Sequence, residues 1–149
     1  MPEVYGRPPE ALPNLSDCAF YHTIDLPGHG VRPGLWDLRP NMEQYLGDMD
    51  FGGRRVLEIG TANGFVCFEM ERRGADVVGF DLAEELTYDA PPHNPDYLLP
   101  EVYRAGLRKI RNAWWLAHAA RGPRARVAYG HAKRLPPALG RADVGVLAN

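Results

Sequence analysis

The sequence predicts an α/β fold built on a doubly wound parallel sheet. From about residue 50 onward, short apolar runs typical of buried parallel strands alternate with segments of helical periodicity. The order strand, helix, strand, helix, strand, strand favours crossover connections on one parallel sheet. In addition, the first apolar run breaks off in "VLEIGTANGF" at residues 56–65, where glycines flank small and polar residues. A strand that ends in this way is typical of a turn that approaches a ligand.

Residues 1–50 are predicted to form an N-terminal extension, because they contain many prolines and glycines and little periodicity. The stretch "FYHTIDLPGHGVRPGLWDL" at 20–38 predicts two short strands around a turn at 28–30. The stretch "NMEQYLGDM" at 41–49 predicts a short helix that ends near Gly47. We expect this extension to form a hairpin and a lid-like segment beside the sheet.

Four strands and two helices are predicted after residue 50. The strands cover residues 55–60, 76–81, 126–130 and 143–147, and the helices cover residues 63–73 and 100–121. Gly74 closes the first helix, and Gly122 with Pro123 stops the second. The second helix carries an apolar stripe at the spacing i, i+3, i+4, i+7, i+8. A proline-rich loop is predicted between the second strand and this helix.

The turn after the first strand is the candidate ligand site, because open α/β sheets bind ligands beyond the carboxyl ends of their strands. Gly60 and Gly64 allow the backbone to approach a ligand, and the amides at the helix start favour an anion. The run lacks both the dinucleotide fingerprint and the phosphate-binding P-loop pattern.

Two acids flank this turn and suggest which ligand it takes. Glu58 lies within the strand, and Asp81 ends the next strand about 20 residues later, where an acid accepts hydrogen bonds from ribose hydroxyls. A ligand with a ribose and no pyrophosphate fits this pattern, and S-adenosylmethionine is such a ligand. The alternative is that both acids are ordinary strand-end residues and that the glycines serve packing alone.

The run "VLEIGTANGFVCFEMERRGADVVGFDL" at 56–82 resembles the motif I and motif II region of class I S-adenosylmethionine-dependent methyltransferases, which have a Rossmann-like fold. The segment "FYHTIDLPGHGVRPGLWDLRP" further resembles the subgroup of tRNA wobble-uridine carboxymethyltransferases, as do "NAWWLAH" and "RVAYGHAKRLPPALGRADVGVL". The resemblance covers roughly residues 17–149. It implies that residues 51–149 form the cofactor-binding half of a methyltransferase domain.

The resemblance also implies roles for individual residues. Glu58 and the turn would hold the methionine end of the cofactor, Asp81 the ribose, and Leu82 would pack near the adenine. The family commonly has an acid in the middle of "GHA", and here His131 replaces it, with the Ala132 amide next to it. Asn149 falls where the family approaches the transferred group. The implied cofactor-binding set is Glu58, Gly60, Thr61, Ala62, Asn63, Gly64, Asp81, Leu82, His131, Ala132 and Asn149.

The reaction expected from the resemblance is an in-line displacement at the sulfonium-bound carbon, in which the protein supplies position and desolvation. If the acceptor carries a proton into the reaction, His22 is the candidate base and Tyr21 the second candidate. The alternative is that both belong to a packed aromatic cluster beneath the N-terminal hairpin.

The resemblance further implies that the sheet is incomplete at its C-terminal side. The family fold has seven strands, whereas this sequence supplies four in the sheet. The last strand would then be an apolar edge, which is open to pairing with another chain. We therefore expect a fragment of a longer protein, and a possible homo-oligomer formed through this edge.

Composition separates the possible functions. The formal net charge of −2 argues against a protein that coats nucleic acid, and it favours a small-molecule acceptor over tRNA. A third alternative is a truncated, non-catalytic domain that binds cofactor or packs with a partner. Cys18 and Cys67 form no C-x-x-C pair, and the histidines show no spacing typical of metal ligands. No run reaches roughly 18 apolar residues, and the N-terminus is too polar for a signal peptide, so we expect a cytoplasmic protein without a membrane partner.

Overall fold

The computed structural model describes residues 3–86 and 100–147. The N-terminal part contains an antiparallel hairpin and a single helical turn, which are β1 (Ile24–Leu26), β2 (Gly30–Arg32) and α1 (Met42–Tyr45). The remaining elements are β3 (Arg55–Ile59), α2 (Phe65–Arg72), β4 (Asp76–Leu82), α3 (Pro100–Arg121), β5 (Arg126–Gly130) and β6 (Val144–Leu147). The predicted hairpin, short helix, four strands and two helices are therefore all present.

The four later strands form one parallel sheet in the order β5-β4-β3-β6. The chain moves outward from β3 to β4 to β5, and it then returns to the other side of β3 to add β6. This reversal places the topological switch point between β3 and β6, and the 60–64 turn follows β3 directly. The strand order therefore puts the candidate turn where an open α/β sheet binds its ligands.

The main core lies on the face of the sheet covered by α2 and α3. Val56, Val77 and Val127 point from three neighbouring strands into this core, where they join Val66 and Met70 of α2. Four consecutive residues of α3 also join it, namely Trp114, Trp115, Leu116 and Ala117. Burial of one continuous apolar face fixes both helices against the sheet.

The opposite face has a smaller cover. Val78, Phe80, Ala128 and Leu139 form a separate buried cluster there, and Val4 packs against it. A short 3₁₀ turn at Pro137–Leu139, on the connection from β5 to β6, supplies Leu139. A doubly wound sheet usually carries helices on both faces. Within the described residues, both long helices lie on the same face because the chain reverses direction only after β5.

The two outer strands of the sheet differ. The amide of Gly6 donates to the carbonyl of Val127 at 2.8 Å, so the N-terminal segment runs along β5. β6 pairs with β3 and, within the described residues, with no other strand. None of the described helices is long and apolar enough to cross a membrane.

Five boundaries of the predicted strands and long helices shift by one or two residues, and the two shifts beside the 60–64 turn have a backbone cause. The helix predicted from residue 63 begins at Phe65, because Gly64 has a left-handed backbone and ends the preceding turn. β3 ends at Ile59 rather than at residue 60 for a similar reason, since Gly60 has a positive φ of 87°. Most of the loop predicted over 83–99 lies outside the described residues. The division of the chain near residue 50 stays a prediction.

Candidate functional site

The 60–64 turn has a backbone that most residues adopt only at a cost. Gly60, Ala62 and Gly64 all have positive φ, at 87°, 49° and 86°. At Gly64 a side chain is excluded for a second reason, because an added Cβ would lie 2.6 Å from the Phe68 ring and 2.9 Å from the Trp114 ring. The turn is thus held close to the core by its own glycine.

A second glycine lets the turn lie against the neighbouring strand. A Cβ added at Gly79 would lie 2.8 Å from the Thr61 hydroxyl. The Gly60 amide donates to the Phe80 carbonyl at 2.8 Å, which continues the ladder between β3 and β4 into the turn. A glycine inside the apolar run "VVGF" is a sequence signal for close backbone approach. It would have indicated this contact, which the motif spacing alone did not.

Glu58 is the most unusual residue of the site. Its side chain is fully buried, and neither carboxyl oxygen has a hydrogen-bond partner of normal geometry within the described part of the chain. Burial raises its pKa to about 8, the nearby Thr61 hydroxyl lowers it in part, and the negative charge of Asp81 raises it further. An unpartnered buried carboxylate is costly, so Glu58 is protonated over much of the neutral range unless a cation approaches it.

Asp81 lies at the end of β4 and is held by backbone amides. Its two carboxyl oxygens each accept one hydrogen bond of 2.7 Å, from the amides of Ala62 and Leu82. Burial raises the pKa of Asp81 above its ordinary value, and the two amide bonds oppose this. The bonds fix the carboxylate beside the turn, and each oxygen retains a lone pair for a further donor.

Asn63 joins the turn to the N-terminal extension. Its side-chain oxygen accepts from the amides of Tyr21 at 3.0 Å and His22 at 2.8 Å, and its side-chain nitrogen donates to the His22 carbonyl at 3.1 Å. Asn63 is fully buried. Hydrogen bonds to the extension therefore use the side-chain amide of Asn63. Within the described residues, its role is to position residues 21–22 over the turn.

His22 and Tyr21, the candidate bases, lie directly above this point. The His22 ring lies edge-on to Tyr21 at 4.8 Å and 6.2 Å from Phe65, and it is buried. Its Nδ1 has no hydrogen-bond partner among the described residues, and burial lowers the pKa of His22 to about 4. His22 is thus a neutral and weak base at pH 7. The structure places both residues in an aromatic cluster next to the turn, and their role as bases stays a prediction.

Tyr45 of α1 belongs to the same neighbourhood and was not predicted. Burial raises the pKa of its hydroxyl first, and the negative charges of Glu58 and Tyr21 raise it further. These charge effects indicate that the Tyr45 side chain lies near Glu58 and Tyr21, and no sequence motif marks it. The helical pattern predicted α1 itself, but not the direction of this side chain.

The residues predicted to lie near the adenine are only partly described, and His131 takes the place of the acid that the resemblance leads us to expect. His131 accepts a hydrogen bond from the Lys133 amide at 3.1 Å and so caps the 3₁₀ turn Ala132–Arg134. Leu82 ends β4 and is half-buried beside Asp81. Asn149 lies outside the described residues.

Two further groups lie near Asp81. The Arg111 guanidinium lies 3.8 Å from the centre of the Tyr129 ring, and its charge lowers the pKa of Asp81 slightly against the effect of burial. Tyr129 pairs with Asp81 in the sheet register, and its buried hydroxyl has no partner among the described residues. Arg108 and Arg111 both pair with Glu84, which reduces the charge that this helix face offers to a nucleic acid.

Comparison with known proteins gives a partial match. Three ubiquinone biosynthesis O-methyltransferases resemble the chain over 61 residues: those of Maricaulis maris at 41% identity, and of Psychrobacter cryohalolentis and Psychrobacter arcticus at 36%. The match covers 41% of this chain and 24% of each relative, so the chain corresponds to about a quarter of their length. No protein-family model matches the chain, and no solved structure matches it.

These similarities support a relationship to methyltransferases. The central parallel sheet with its helices is compatible with the Rossmann-like α/β fold expected from the sequence. The resemblance to the tRNA wobble-uridine subgroup receives no support from them.

Proposed function

We propose that the chain is the cofactor-binding part of an S-adenosylmethionine-dependent methyltransferase that acts on a small-molecule acceptor. The observation that carries the proposal is the pair of carboxyl groups of the fully buried Glu58 and the half-buried Asp81, at the carboxyl ends of two adjacent parallel strands. The 60–64 turn lies between them at the switch point of the sheet. The names of the three relatives agree with this activity.

The chemistry of these residues fits this cofactor. Glu58 has two buried oxygens without a partner, which a cationic group of a ligand would satisfy. Asp81 is fixed by two amides and keeps acceptor positions for ribose hydroxyls. The turn lacks the glycine pattern that binds a pyrophosphate, since within residues 60–64 only the first and last are glycine.

The chain's own residues contribute binding and exclusion of water. When bound, S-adenosylmethionine supplies a methyl group on a sulfonium leaving group, so that little further activation is required. Asn63 holds residues 21–22 across the turn, and the rings of Tyr21, His22 and Phe65 then form an apolar wall. The neutral His22 Nδ1 is the group that would receive an acceptor proton, and Tyr21 would do so only as its phenolate.

Isothermal titration of the chain with S-adenosylmethionine, S-adenosylhomocysteine and NAD tests the proposal. We expect the first two to bind with similar affinity and NAD to bind more weakly. Glu58→Gln should weaken the binding of S-adenosylmethionine, which carries a positively charged sulfonium, more than the binding of S-adenosylhomocysteine, whose sulfur is uncharged. Tighter binding of NAD than of either ligand would contradict the proposal.

We also propose that β6 mediates self-association, because it pairs only with β3 within the described residues. Multi-angle light scattering should then show a dimer or a larger species. A monodisperse monomer at all concentrations would contradict this part of the proposal and leave the cofactor assignment untouched. Cytoplasmic location stays a prediction.

A further inference from the structure

A cavity of about 860 Å³ lies between the β1–β2 hairpin, α1 and α2. Its lining includes neither Glu58 nor Asp81 nor any residue of the 60–64 turn, so it is separate from the proposed cofactor site. Phe65 links the two places, because it lines the cavity while its ring lies 6.2 Å from that of His22. The volume is within the range of roughly 300–1,000 Å³ typical of small-molecule sites.

One wall of the cavity has an excess of positive charge. Arg72, Arg73 and Arg121, here called the arginine cluster, all pair with the carboxylate of Glu69, at 2.9, 3.0 and 3.4 Å. One carboxylate thus serves three cations. Glu43 also lines the cavity and offsets part of this charge, whereas Arg39 on the same lining is already paired with acids of its own. The uncompensated charge is therefore concentrated at the arginine cluster.

The cluster is partly withdrawn from water and is held in place. The side chains of Arg73 and Arg121 are only 22% and 21% exposed, which strengthens hydrogen bonds from their guanidinium groups to an anion. Burial acts to raise the pKa of Glu69, but hydrogen bonds from Arg72 and Arg73 outweigh it and lower the pKa. Glu69 thus stays ionised and orients the cluster, and each guanidinium has five N–H donors of which Glu69 uses only some.

The cavity also has an apolar part. Leu26, Met42 and Phe65 line it, and their side chains are almost fully buried in the main core. Their edges alone reach the cavity, and because the core holds these side chains in place, the edges form a floor of fixed shape on which a hydrocarbon group can pack. Fixed cations beside a fixed apolar surface are the two features that recognise an amphipathic anion.

We propose that this cavity binds a small organic anion. The carboxylate or phosphate group of the ligand bonds to Arg73 and Arg121, and its apolar body packs against Leu26, Met42 and Phe65. This proposal does not rest on methyl transfer, because Phe65 alone of the residues placed at the cofactor site lines the cavity, and neither carboxylate of that site nor any residue of the 60–64 turn does.

Isothermal titration with octyl phosphate, below the concentration at which it forms micelles, tests the proposal. Saturable one-to-one binding is expected, at least tenfold tighter than that of inorganic phosphate or octyl glucoside. Octanoate should compete for the same site. Equal affinity for inorganic phosphate would contradict the apolar part of the proposal, and equal affinity for octyl glucoside would contradict the ionic part. Binding to phosphatidic acid vesicles without binding of monomeric octyl phosphate would also overturn it.

Variants separate a binding role from a structural role. The double variant Arg73→Gln and Arg121→Gln should bind octyl phosphate at least tenfold more weakly. Glu69→Gln should bind it severalfold more tightly, because the cluster loses its competing carboxylate. Loss of structure cannot imitate this gain, so the second variant remains informative if the first does not fold. The control is Arg124→Gln, which alters an arginine that is 90% exposed and lies outside the cavity. An affinity unchanged in both test variants, or changed equally in the control, would overturn the proposal.

Discussion

The two ends of the parallel sheet differ in the exposure and the pairing of their acidic residues. At the amino ends, Asp76 pairs with Arg126 at 3.2 Å and with Arg55 at 3.7 Å, and the carboxylate of Asp143 accepts from the Arg55 amide at 2.8 Å. These acids are exposed to solvent. At the carboxyl ends, Glu58 is fully buried and Asp81 is half-buried, and neither forms a salt bridge within the described part of the chain.

The difference indicates which end serves stability and which end serves binding. Exposed ion pairs at the amino ends cost little and contribute little. Buried acids without cations cost stability, and such a cost is typical of positions that a ligand completes. Replacement of Glu58 by a neutral residue should therefore stabilise the free chain while it weakens binding. Equivalent mutations at the amino ends should do neither.

The largest expected effect is the pH dependence of stability caused by Glu58. The folded chain retains the Glu58 proton up to a pKa of about 8, whereas the unfolded chain releases it near its ordinary value of 4.5. The unfolded state therefore binds fewer protons in this window, and the free energy of unfolding falls as pH rises, by up to about 1.4 kcal/mol per pH unit. Glu58→Gln, which resembles the protonated acid, should lack this loss. Urea unfolding of both proteins from pH 5 to pH 8 measures the difference, which should grow to several kcal/mol in favour of the variant.

Glu69→Gln is the matched control, because it replaces an acid whose pKa is shifted in the other direction. Glu69 contributes stability above its ordinary pKa, and this contribution is lost as pH falls through the lowered folded value. The Glu69 variant should thus be less stable than the natural chain at pH 7, and the difference should shrink in acid. His22 and Asp81 are present in the natural chain and in both variants, so their titration affects every curve of stability against pH in the same way. A Glu58 difference that does not change with pH would refute the proposed protonation state.

The contrast between the two ends shows what sequence reasoning can reach. The spacing of Glu58, the 60–64 turn and Asp81 predicted their meeting, because parallel strands bring their carboxyl ends to one edge. The element types were also predicted, since strong apolar periodicity decides them. The protonation of Glu58 could not be predicted, because it depends on the absence of a partner in a packed interior. Contacts between distant segments, such as Asn63 with residues 21–22, have no local pattern either.

The second prediction concerns Asn63, which binds the N-terminal extension to the carboxyl end. Asn63→Ala would leave the amides of Tyr21 and His22 without their acceptor in a buried place. We expect a loss of about 2–4 kcal/mol in the free energy of unfolding, since each unsatisfied buried group costs about 1–3 kcal/mol. Thermal unfolding measures it.

Asn112→Ala is the control for this variant. Asn112 makes one exposed hydrogen bond to the Asp17 carbonyl, at 2.9 Å, and the same substitution there should cost under about 1 kcal/mol. If the two variants lost equal stability, Asn63 would be no more important to the extension than a surface residue. A further readout is hydrogen exchange, in which the amides of residues 21 and 22 should lose protection only in the Asn63 variant.

The third prediction compares two acids on the same strand. Asp81 is the penultimate residue of β4, at its carboxyl end, and Asp76 begins the strand at the amino end. Asp81→Asn should weaken S-adenosylmethionine by about 1.5–3 kcal/mol, or roughly 10- to 100-fold, because charge-assisted bonds to the ribose hydroxyls are lost. Asp76→Asn should change the affinity by less than about twofold, since only exposed ion pairs are lost.

Stability provides an independent check on the same pair. Asp81→Asn loses one of the two acceptor oxygens that bind the amides of Ala62 and Leu82, which should cost about 1–3 kcal/mol in the free energy of unfolding. Burial raises the pKa of Asp81 and so favours a neutral side chain, which offsets part of this cost. A loss of stability well above this range would assign Asp81 to the fold rather than to the ligand. Equal losses of affinity in both variants would remove the proposed distinction between the two ends of the sheet.

The smallest effect is expected at His131, where the chain departs from the acid typical of the family it resembles. His131→Asp should preserve the local structure, because an Asp oxygen can accept the Lys133 amide that the imidazole Nδ1 accepts now. A carboxylate here also offers an acceptor to the exocyclic amine of an adenine, which is worth about 0.5–1.5 kcal/mol, or roughly a two- to tenfold gain in affinity. Titration with S-adenosylhomocysteine and with S-inosylhomocysteine, which lacks that amine, measures the gain and its origin. The gain should occur with the first ligand alone, and His131→Asn should show less of it. An equal gain for both ligands would indicate a general change of charge at the carboxyl end, and no gain for either would place the adenine away from residue 131.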